Sequence, residues 1–213
     1  MNSTGDDLVW YATYGSNMYA ARFGCYLTGG TPPGAARSFP GARDPRPPRA
    51  SRPLLVDGGI FFATESPVWG GGRAFYDPAL PGTAAMRAYL ITRAQFSDVA
   101  AQEMYRDPGA DLDLIGVLTG GRAELGPGRY ETLLRLPVPD DGHELAPVLT
   151  FTCPWTAGDQ PLLAPSAAYL RMLAGGLRET HGWTPQQAGG YLATAPGAAG
   201  HWTAEGIAAL DLH

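Results

Sequence analysis

The stretch "WYATYGSNMYAARF", Trp10 to Phe23, decides how the chain begins to fold. Its apolar run, Trp10 to Ala12, leads into Tyr14-Gly15-Ser16-Asn17, and a segment compatible with a helix follows. Gly15 lets the backbone approach another group closely because it has no Cβ, and Ser16 and Asn17 favour turn geometry. Two interpretations stay open at this point. The junction is either an ordinary strand-to-helix turn or a place where successive backbone N–H groups face one anion.

Composition limits the classes of function. The chain has 213 residues, a net charge of −5 and 45% hydrophobic residues. These values predict a single domain over residues 1–213 with a real core and no non-specific binding to nucleic acid. All basic residues are Arg, and the absence of Lys excludes a lysine nucleophile or Schiff base.

Cysteine usage and the start of the chain favour a cytoplasmic protein. Cys25 and Cys153 are far apart, which is neither a disulfide framework nor a metal-ligand spacing. Reduced thiols are the expectation for such a pair. The first twelve residues have no basic segment followed by an apolar one, and no apolar run approaches the length of a membrane span. We therefore expect no secretion signal and no membrane partner.

The segment 29–53 is rich in Gly, Pro and Arg and is predicted to be a long surface loop. Its basic residues are Arg37, Arg43, Arg46, Arg49 and Arg52. A nucleic-acid site would need interleaved aromatic residues, and only Phe39 is present. The favoured interpretation is a solvated loop, or one whose arginines pair with acidic neighbours.

Strand patterns dominate the first two thirds of the sequence and helix patterns the end, which predicts an α+β fold. Strands are expected at 54–63 around a turn at 57–59, at 85–92, and at 133–139 and 146–154 as a hairpin around Asp140-Asp141-Gly142. Capping residues predict three helices. Thr92 and Gln95 open 93–105, Ser166 opens a helix that Gly182 ends, and Thr184 opens a shorter one with Pro185 first.

One carboxylate in this pattern stands out. In the helix 93–105, Phe96, Val99 and Ala100 form an apolar stripe, and Glu103 continues the same face at i+7. Burying an isolated carboxylate is costly, and a carboxyl group so placed can exchange a proton as a general acid–base must. The alternative is that Glu103 lies at the frayed helix end and points to water.

The order of motifs resembles the γ-glutamylcyclotransferase family. "YATYGSNM" at 11–18 comes first, then "VWGGGRAFYDP" at 68–78, "YLITRAQFSDVAAQE" at 89–103 and "PSAAYLRMLAGGLRE" at 165–179. The resemblance covers most of the chain, from Trp10 to about Leu192. It implies a small mixed β-barrel with surrounding helices and a reaction that cyclises a γ-glutamyl amide to 5-oxoproline and releases an amine.

The resemblance also implies roles for particular residues. Glu103 would be the catalytic acid–base, and the backbone of Tyr14, Gly15 and Ser16 would hold the substrate α-carboxylate or the developing oxyanion. Trp69, Gly70 and Gly71 would shape the barrel. The expected substrate-binding residues are Tyr11, Thr13, Tyr14, Gly15, Ser16, Asn17 and Tyr169. Tyr169 also fits an ordinary core aromatic. No metal or other cofactor is expected.

Three alternatives remain open from sequence. The domain could be a non-catalytic relative that binds a small acid, or a biosynthetic enzyme that removes a γ-glutamyl protecting group from a larger amine. A thiol hydrolase built on Cys25 is disfavoured because His143, His181, His201 and His213 all lie late and form no Cys–His signature. The leaving amine and the oligomeric state are not set by the sequence.

Overall fold

The computed structural model describes residues 7–32, 37–137 and 146–210. The α+β expectation is confirmed. The strands are β1 Leu8–Thr13, β2 Ala50–Asp57, β3 Gly59–Glu65, β4 Gly72–Asp77, β5 Thr83–Thr92, β6 Arg122–Glu124, β7 Thr132–Arg135 and β8 Val148–Thr152. The helices are α1 Ala20–Thr28, α2 Arg93–Glu103, α3 Ile115–Gly120, α4 Ala167–His181, α5 Pro185–Ala193 and α6 Ala204–Ala208.

Six strands form one mixed sheet in the order β2-β5-β1-β8-β7-β6. β1 runs antiparallel to β5 and parallel to β8, and its residues 9–13 are all buried. Alternate residues of β1 enter two different cores because successive side chains point to opposite faces. Trp10 and Ala12 pack on the side of α4, whereas Val9 and Tyr11 pack on the side of α1 and α2.

The strands do not close into the barrel that the family resemblance implied. Among the strands of the described ranges, β3 and β4 pair only with each other, and the six-stranded sheet stays open. β4 reaches β8 through a side chain: Thr152 Oγ1 accepts from the Tyr76 backbone N–H at 3.1 Å and donates to the Tyr76 carbonyl at 2.7 Å. The Thr152 hydroxyl therefore takes the two backbone hydrogen bonds of Tyr76 that pairing between β4 and β8 would use. The two sheets lie side by side but are not joined there by backbone pairing.

The capping predictions are confirmed. Thr92 and Gln95 form a reciprocal capping box before α2, and Thr184 and Gln187 form another before α5. Ser166 caps α4, which ends at Gly182 in the left-handed conformation. No helix in the described ranges is long and apolar enough to cross a membrane.

The predicted hairpin is confirmed as β7 and β8, which pair antiparallel from Thr132↔Thr152 to Arg135↔Leu149. Its turn at 140–142, together with His143, lies outside the described residues. The strand expected at 54–63 is two strands, β2 and β3, on either side of Gly58.

The boundaries of the predicted loop at 29–53 are wrong at its end. β2 already begins at Ala50, and Pro53 lies within it opposite Arg87. Proline is tolerated there because β2 is an edge strand, so no neighbour requires an N–H on its outer side. The expected pairing of loop arginines with acidic neighbours is confirmed for Arg43, whose Nε lies 2.9 Å from Oδ1 of the fully buried Asp98 of α2.

Helix α4 lies against the turn that follows β1. A Cβ on Gly176 would stand 2.6 Å from Met18 Cβ and 2.9 Å from the Tyr19 backbone nitrogen. A residue with no side chain is therefore required for α4 to pack on the short 3₁₀ turn Ser16–Met18. This contact supports the loop 14–17 on the side that faces α4.

We predict that Gly176→Ala lowers the free energy of unfolding by about 1–3 kcal/mol, because the added methyl group overpacks this contact. The matched control is Gly24→Ala in α1, where a Cβ would meet nothing within 4 Å. That change should stabilise the protein by about 0.5–1 kcal/mol through helix propensity. Urea unfolding of both variants checks the pair, and equal effects of the two changes would contradict the packing argument.

Candidate active site

A pocket opens where β1 and β8 separate. Pairing between these strands ends at Tyr11 and Leu149, although both strands continue. The widened gap leaves an empty volume of about 620 Å³, which includes the space open to solvent at its mouth. All eight residues expected at the site line this pocket: Tyr11, Thr13, Tyr14, Gly15, Ser16, Asn17, Glu103 and Tyr169.

Glu103 is the last residue of α2 and is half-buried in the pocket wall. The apolar stripe that precedes it is fully buried, as the helical spacing predicted. The helix ends two residues before the predicted Tyr105, which adopts φ +59° and turns the chain away. Glu103 is therefore at a helix end, yet its carboxylate faces into the pocket.

Two hydrogen bonds hold one oxygen of this carboxylate. Glu103 Oε1 accepts from Tyr26 Oη at 2.6 Å and from Asn17 Nδ2 at 2.9 Å. Bonds to an ionised acceptor are short and stronger than neutral ones. Within the described ranges, Oε2 forms no hydrogen bond, and it remains available to a ligand.

Asn17 ties the loop to this carboxylate. Its Nδ2 also donates to Tyr11 Oη at 3.3 Å, and its backbone carbonyl oxygen accepts from Tyr89 Oη at 2.9 Å. Its Oδ1 is buried and has no hydrogen-bond partner in the described part of the chain. The side chain thus presents one acceptor that a bound molecule could satisfy.

The turn after β1 carries two backbone N–H groups that no described residue accepts. Gly15 and Ser16 both line the pocket, and their N–H groups have no acceptor among the described residues. A Cβ on Gly15 would lie 3.3 Å from Tyr169 Oη, which is tighter than an ordinary contact. The same hydroxyl accepts from the Ala74 N–H at 3.2 Å, so Tyr169 is held firmly against the loop.

Sequence reasoning missed two buried arginines in the wall. Arg22 of α1 is 3% exposed and Arg73 of β4 is 4% exposed. Arg22 Nη1 and Arg73 Nε are buried without a hydrogen-bond partner in the described ranges. The sequence did contain a signal for Arg22. A cation in the first turn of a helix is unfavourable because it lies at the positive end of the helix dipole, so an arginine there calls for another explanation.

The two terminal nitrogens of Arg73 form hydrogen bonds to Tyr105 and Glu65. Its Nη1 donates to Tyr105 Oη at 3.2 Å, and its Nη2 donates to the Glu65 carbonyl oxygen. The guanidinium of Arg37, from the long loop, lies 4.7 Å from the centre of the Tyr105 ring. Tyr105 therefore joins the loop to the rim of the pocket.

Tyrosines form much of the wall and stay neutral. Burial raises the pKa of Tyr11, Tyr26 and Tyr130 well above the usual range, and the nearby Glu103 charge raises each further. Burial raises the pKa of Tyr169 to about 12, against a lowering effect of the Ala74 N–H. These hydroxyls can donate and accept hydrogen bonds, but they do not serve as bases near neutral pH.

Trp69 does more than shape the fold. Its ring stacks on Tyr169 with centroids 6.2 Å apart, and it lines the pocket together with Val68 and Ser66. Gly70 and Gly71 are not among the lining residues. Trp69 is therefore a pocket residue, whereas the resemblance had implied only a role in shaping the barrel.

Neither cysteine lines the pocket. Cys153 is buried elsewhere in the core, where burial raises the pKa of its thiol to about 11. In residues 7–32, 37–137 and 146–210, no three His, Cys, Asp or Glu side chains are grouped so that they could hold a metal ion. The described residues that line the pocket offer one carboxylate, two guanidinium groups and neutral hydroxyls.

Comparison with known proteins gives one sequence relative. No protein-family model matches the sequence. A protein of Arabidopsis thaliana, Histone deacetylase 5, is 32% identical over 198 residues, which cover 86% of this chain and 30% of that protein. Since the chain spans about 30% of that relative's length, the activity in the relative's name is not assigned to it.

Solved structures share the architecture of this chain. A gamma-glutamyl cyclotransferase structure has a TM-score of 0.52 and 15% identity, and the match covers 94% of this chain and 95% of that one. The second is an ensemble refinement of the crystal structure of an uncharacterized protein from Homo sapiens, with a TM-score of 0.52 and 16% identity, covering 94% and 96%. At these identities the likeness concerns the fold. The chain has the α+β fold of a gamma-glutamyl cyclotransferase, with an open six-stranded sheet beside a two-stranded one.

Proposed function

We propose that this protein is a cyclotransferase that converts a γ-glutamyl amide to 5-oxoproline and releases an amine. The observation that carries the proposal is the half-buried Glu103 carboxylate, which is anchored through one oxygen beside an open backbone turn. The shared fold supports the assignment. The substrate is a small molecule, and the proposal needs no cofactor.

Glu103 is assigned as the general acid–base. Its Oε1 is held by Tyr26 and Asn17, whereas Oε2 has no partner among the described residues. An anchored carboxylate with one free oxygen keeps a fixed orientation while it accepts and returns a proton. A single carboxylate suffices because the two proton transfers occur in succession.

The loop is assigned as the receptor for negative charge. The unpartnered N–H groups of Gly15 and Ser16 suit either a carboxylate or the oxyanion of a tetrahedral intermediate. Tyr14 belongs to the same turn, while Tyr11, Thr13 and Tyr169 shape the wall around it. The unpartnered Asn17 Oδ1 is assigned to accept a hydrogen bond from the substrate α-ammonium group.

The reaction balances with one base. Glu103 removes a proton from the α-ammonium group, and the amine nitrogen then attacks the γ-carbonyl carbon to form the ring C–N bond. A second proton leaves that nitrogen as the amide C–N bond breaks. The leaving nitrogen receives both protons and departs as an ammonium ion, while the lactam keeps one N–H. Water is neither added nor consumed.

Positioning supplies much of the rate in such a reaction. Nucleophile and electrophile belong to one molecule, so the pocket has to hold the γ-glutamyl chain in a bent conformation with the amine close to the carbonyl. Walls formed by Tyr11, Trp69, Phe151 and Tyr169 limit the conformations available to the bound chain.

Two alternative functions differ from this one in the molecule that the pocket binds. A non-catalytic protein of this fold would bind a small acid and leave γ-glutamyl amides unchanged. A biosynthetic deprotecting enzyme would cyclise only amides with a larger leaving amine. Product analysis over a panel of γ-glutamyl amino acids and γ-glutamyl amines separates the three cases.

Glu103→Gln tests the assignment of the general acid–base. We expect purified wild-type protein to release 5-oxoproline from at least one member of the panel, and the variant to be slower by about 10²–10⁴-fold because an amide cannot shuttle a proton. Glutamine keeps the oxygen that accepts from Tyr26 and Asn17, so the pocket geometry is preserved. Mass spectrometry of 5-oxoproline and of the amine gives the rates.

The matched control is Glu124→Gln, which removes an exposed carboxylate on β6 outside the pocket. It should retain the wild-type rate. Equal activity of wild type and Glu103→Gln would remove Glu103 from the mechanism. A folded wild-type protein that is silent on every amide but binds 5-oxoproline would instead favour the non-catalytic variant.

Tyr26→Phe tests the anchoring of the carboxylate. The ring stays in place beside Phe39, but the 2.6 Å hydrogen bond to Glu103 is lost. We predict that kcat falls by roughly tenfold, since a charge-assisted bond contributes about 1.5–3 kcal/mol and orients the base. Tyr191→Phe, which loses a hydroxyl bonded to the Ala85 N–H outside the pocket, should affect stability and leave kcat unchanged. A Tyr26→Phe enzyme with wild-type kcat would contradict the anchoring role.

A further inference from the structure

We propose that Arg22 binds the α-carboxylate of the substrate and of the 5-oxoproline product, and that it thereby determines which amides are accepted. The identity of this acid rests on the proposed function, whereas the role of Arg22 in binding a carboxylate does not.

Arg22 is a buried cation inside a cage of aromatic rings. Its guanidinium carbon lies 4.6 Å from the ring centre of Phe39, 5.1 Å from that of Tyr26 and 5.4 Å from that of Trp69. Such contacts stabilise a guanidinium group and fix its plane. They do not satisfy its N–H groups.

The hydrogen bonds of Arg22 leave one nitrogen unused. Nε donates to Ser16 Oγ at 3.3 Å and Nη2 donates to Tyr26 Oη at 3.3 Å, while Nη1 is buried with no partner in the described ranges. Among those residues, no carboxylate forms an ion pair with Arg22. A buried charge without a counter-charge is costly, so a bound anion would recover that cost.

The charge of the pocket favours a single anion. Among the described residues, the charged ones that line it are Arg22, Arg73 and Glu103, which give a net charge of +1 when Glu103 is ionised. The carboxylate of Glu103 is bonded to Tyr26 and Asn17 rather than to either guanidinium group. One ligand carboxylate would therefore neutralise the site.

Arg22 hydrogen-bonds to the loop, whereas Arg73 forms no hydrogen bond to it in the described ranges. The Nε of Arg22 contacts Ser16, so its unused nitrogen and the unpartnered N–H groups of Gly15 and Ser16 belong to the same corner of the pocket. Arg73 instead gives two of its nitrogens to Tyr105 and Glu65 at the rim. The corner of the pocket with Arg22 combines a full positive charge with backbone donors, which suits a carboxylate.

The same contacts couple recognition to chemistry. Tyr26 Oη accepts from Arg22 and donates to Glu103 Oε1, so the carboxylate receptor and the base share one hydroxyl. A substrate that lacks the α-carboxylate, such as a 4-aminobutyryl amide, would leave Arg22 unpaired. We therefore expect γ-glutamyl amides to be preferred over 4-aminobutyryl amides of the same leaving amine.

A matched ligand pair tests the assignment without turnover. 5-Oxoproline and 2-pyrrolidinone share the lactam ring and differ in the carboxylate, so the ratio of their affinities measures recognition of that group. We expect wild-type protein to bind 5-oxoproline at least about tenfold more tightly in calorimetric titration, as for a hydrogen bond to a charged group. In Arg22→Met the ratio should fall to about one, and in Arg22→Lys it should fall at least threefold, because the charge is kept but the planar fork is lost.

Two further variants locate the effect. Arg87→Met removes a partly buried arginine that bonds the Met18 carbonyl and Glu179 outside the pocket, and it should keep the wild-type ratio. Arg73→Met, which removes one of the two pocket charges but no contact with Ser16, should lower the ratio by less than Arg22→Met does. The proposal is overturned if wild-type protein shows no preference, if a folded Arg22→Met keeps it, or if Arg73→Met abolishes it instead. Should Arg22→Met not fold, an unchanged ratio in Arg22→Lys overturns the proposal equally.

The result is separable from the proposed activity. An Arg22-dependent preference for 5-oxoproline in a protein that converts no γ-glutamyl amide would support the carboxylate receptor and contradict the cyclotransferase. Turnover of a γ-glutamyl amide, together with an affinity ratio that is the same in wild type and Arg22→Met, would support the cyclotransferase and contradict the carboxylate receptor.

Discussion

The pair of hydrogen bonds that Glu103 Oε1 accepts from Asn17 and Tyr26 is the interaction on which the site depends. It joins three parts of the chain: the loop after β1, the helix α1 and the end of α2. Asn17 is in turn fixed through Tyr89 and Tyr11, so the position of the carboxylate is set by the central strand and its neighbour. A change in any of these elements would move the one acidic group among the described residues of the pocket.

The pocket is a place where the fold leaves polar groups unsatisfied. Most buried polar groups in a protein are paired, yet Asn17 Oδ1, Arg22 Nη1, Arg73 Nε and Thr150 Oγ1 all lie in this wall without a partner among the described residues. Their residues all line the pocket beside the point where β1 and β8 stop pairing, so the same topology that opens the pocket places these groups in its wall. Such unsatisfied groups cost stability in the empty protein and become favourable contacts once a polar ligand binds.

Local patterns predicted much of this arrangement, and long-range packing accounts for what they missed. Helical periodicity placed Glu103 on the inner face of α2, and turn chemistry marked Gly15, because both depend on neighbours in sequence. The partners of Glu103 lie 77 and 86 residues away, and no local pattern reports such distances. The lack of a counter-charge for Arg22 is equally invisible in sequence. The edge position of β2, which permits Pro53 in a strand, depends on sheet order, and the open sheet corrects the barrel that the resemblance implied.

The most direct test of the central claim is to follow a γ-glutamyl amide in water labelled with ¹⁸O. Intramolecular attack by the α-amine, with Glu103 moving the protons, predicts unlabelled 5-oxoproline and the free amine in equal amounts. Glutamate carrying ¹⁸O in its γ-carboxylate would show that water is the nucleophile and would contradict the account. The absence of both products from every γ-glutamyl amide tested would contradict catalysis at this pocket altogether.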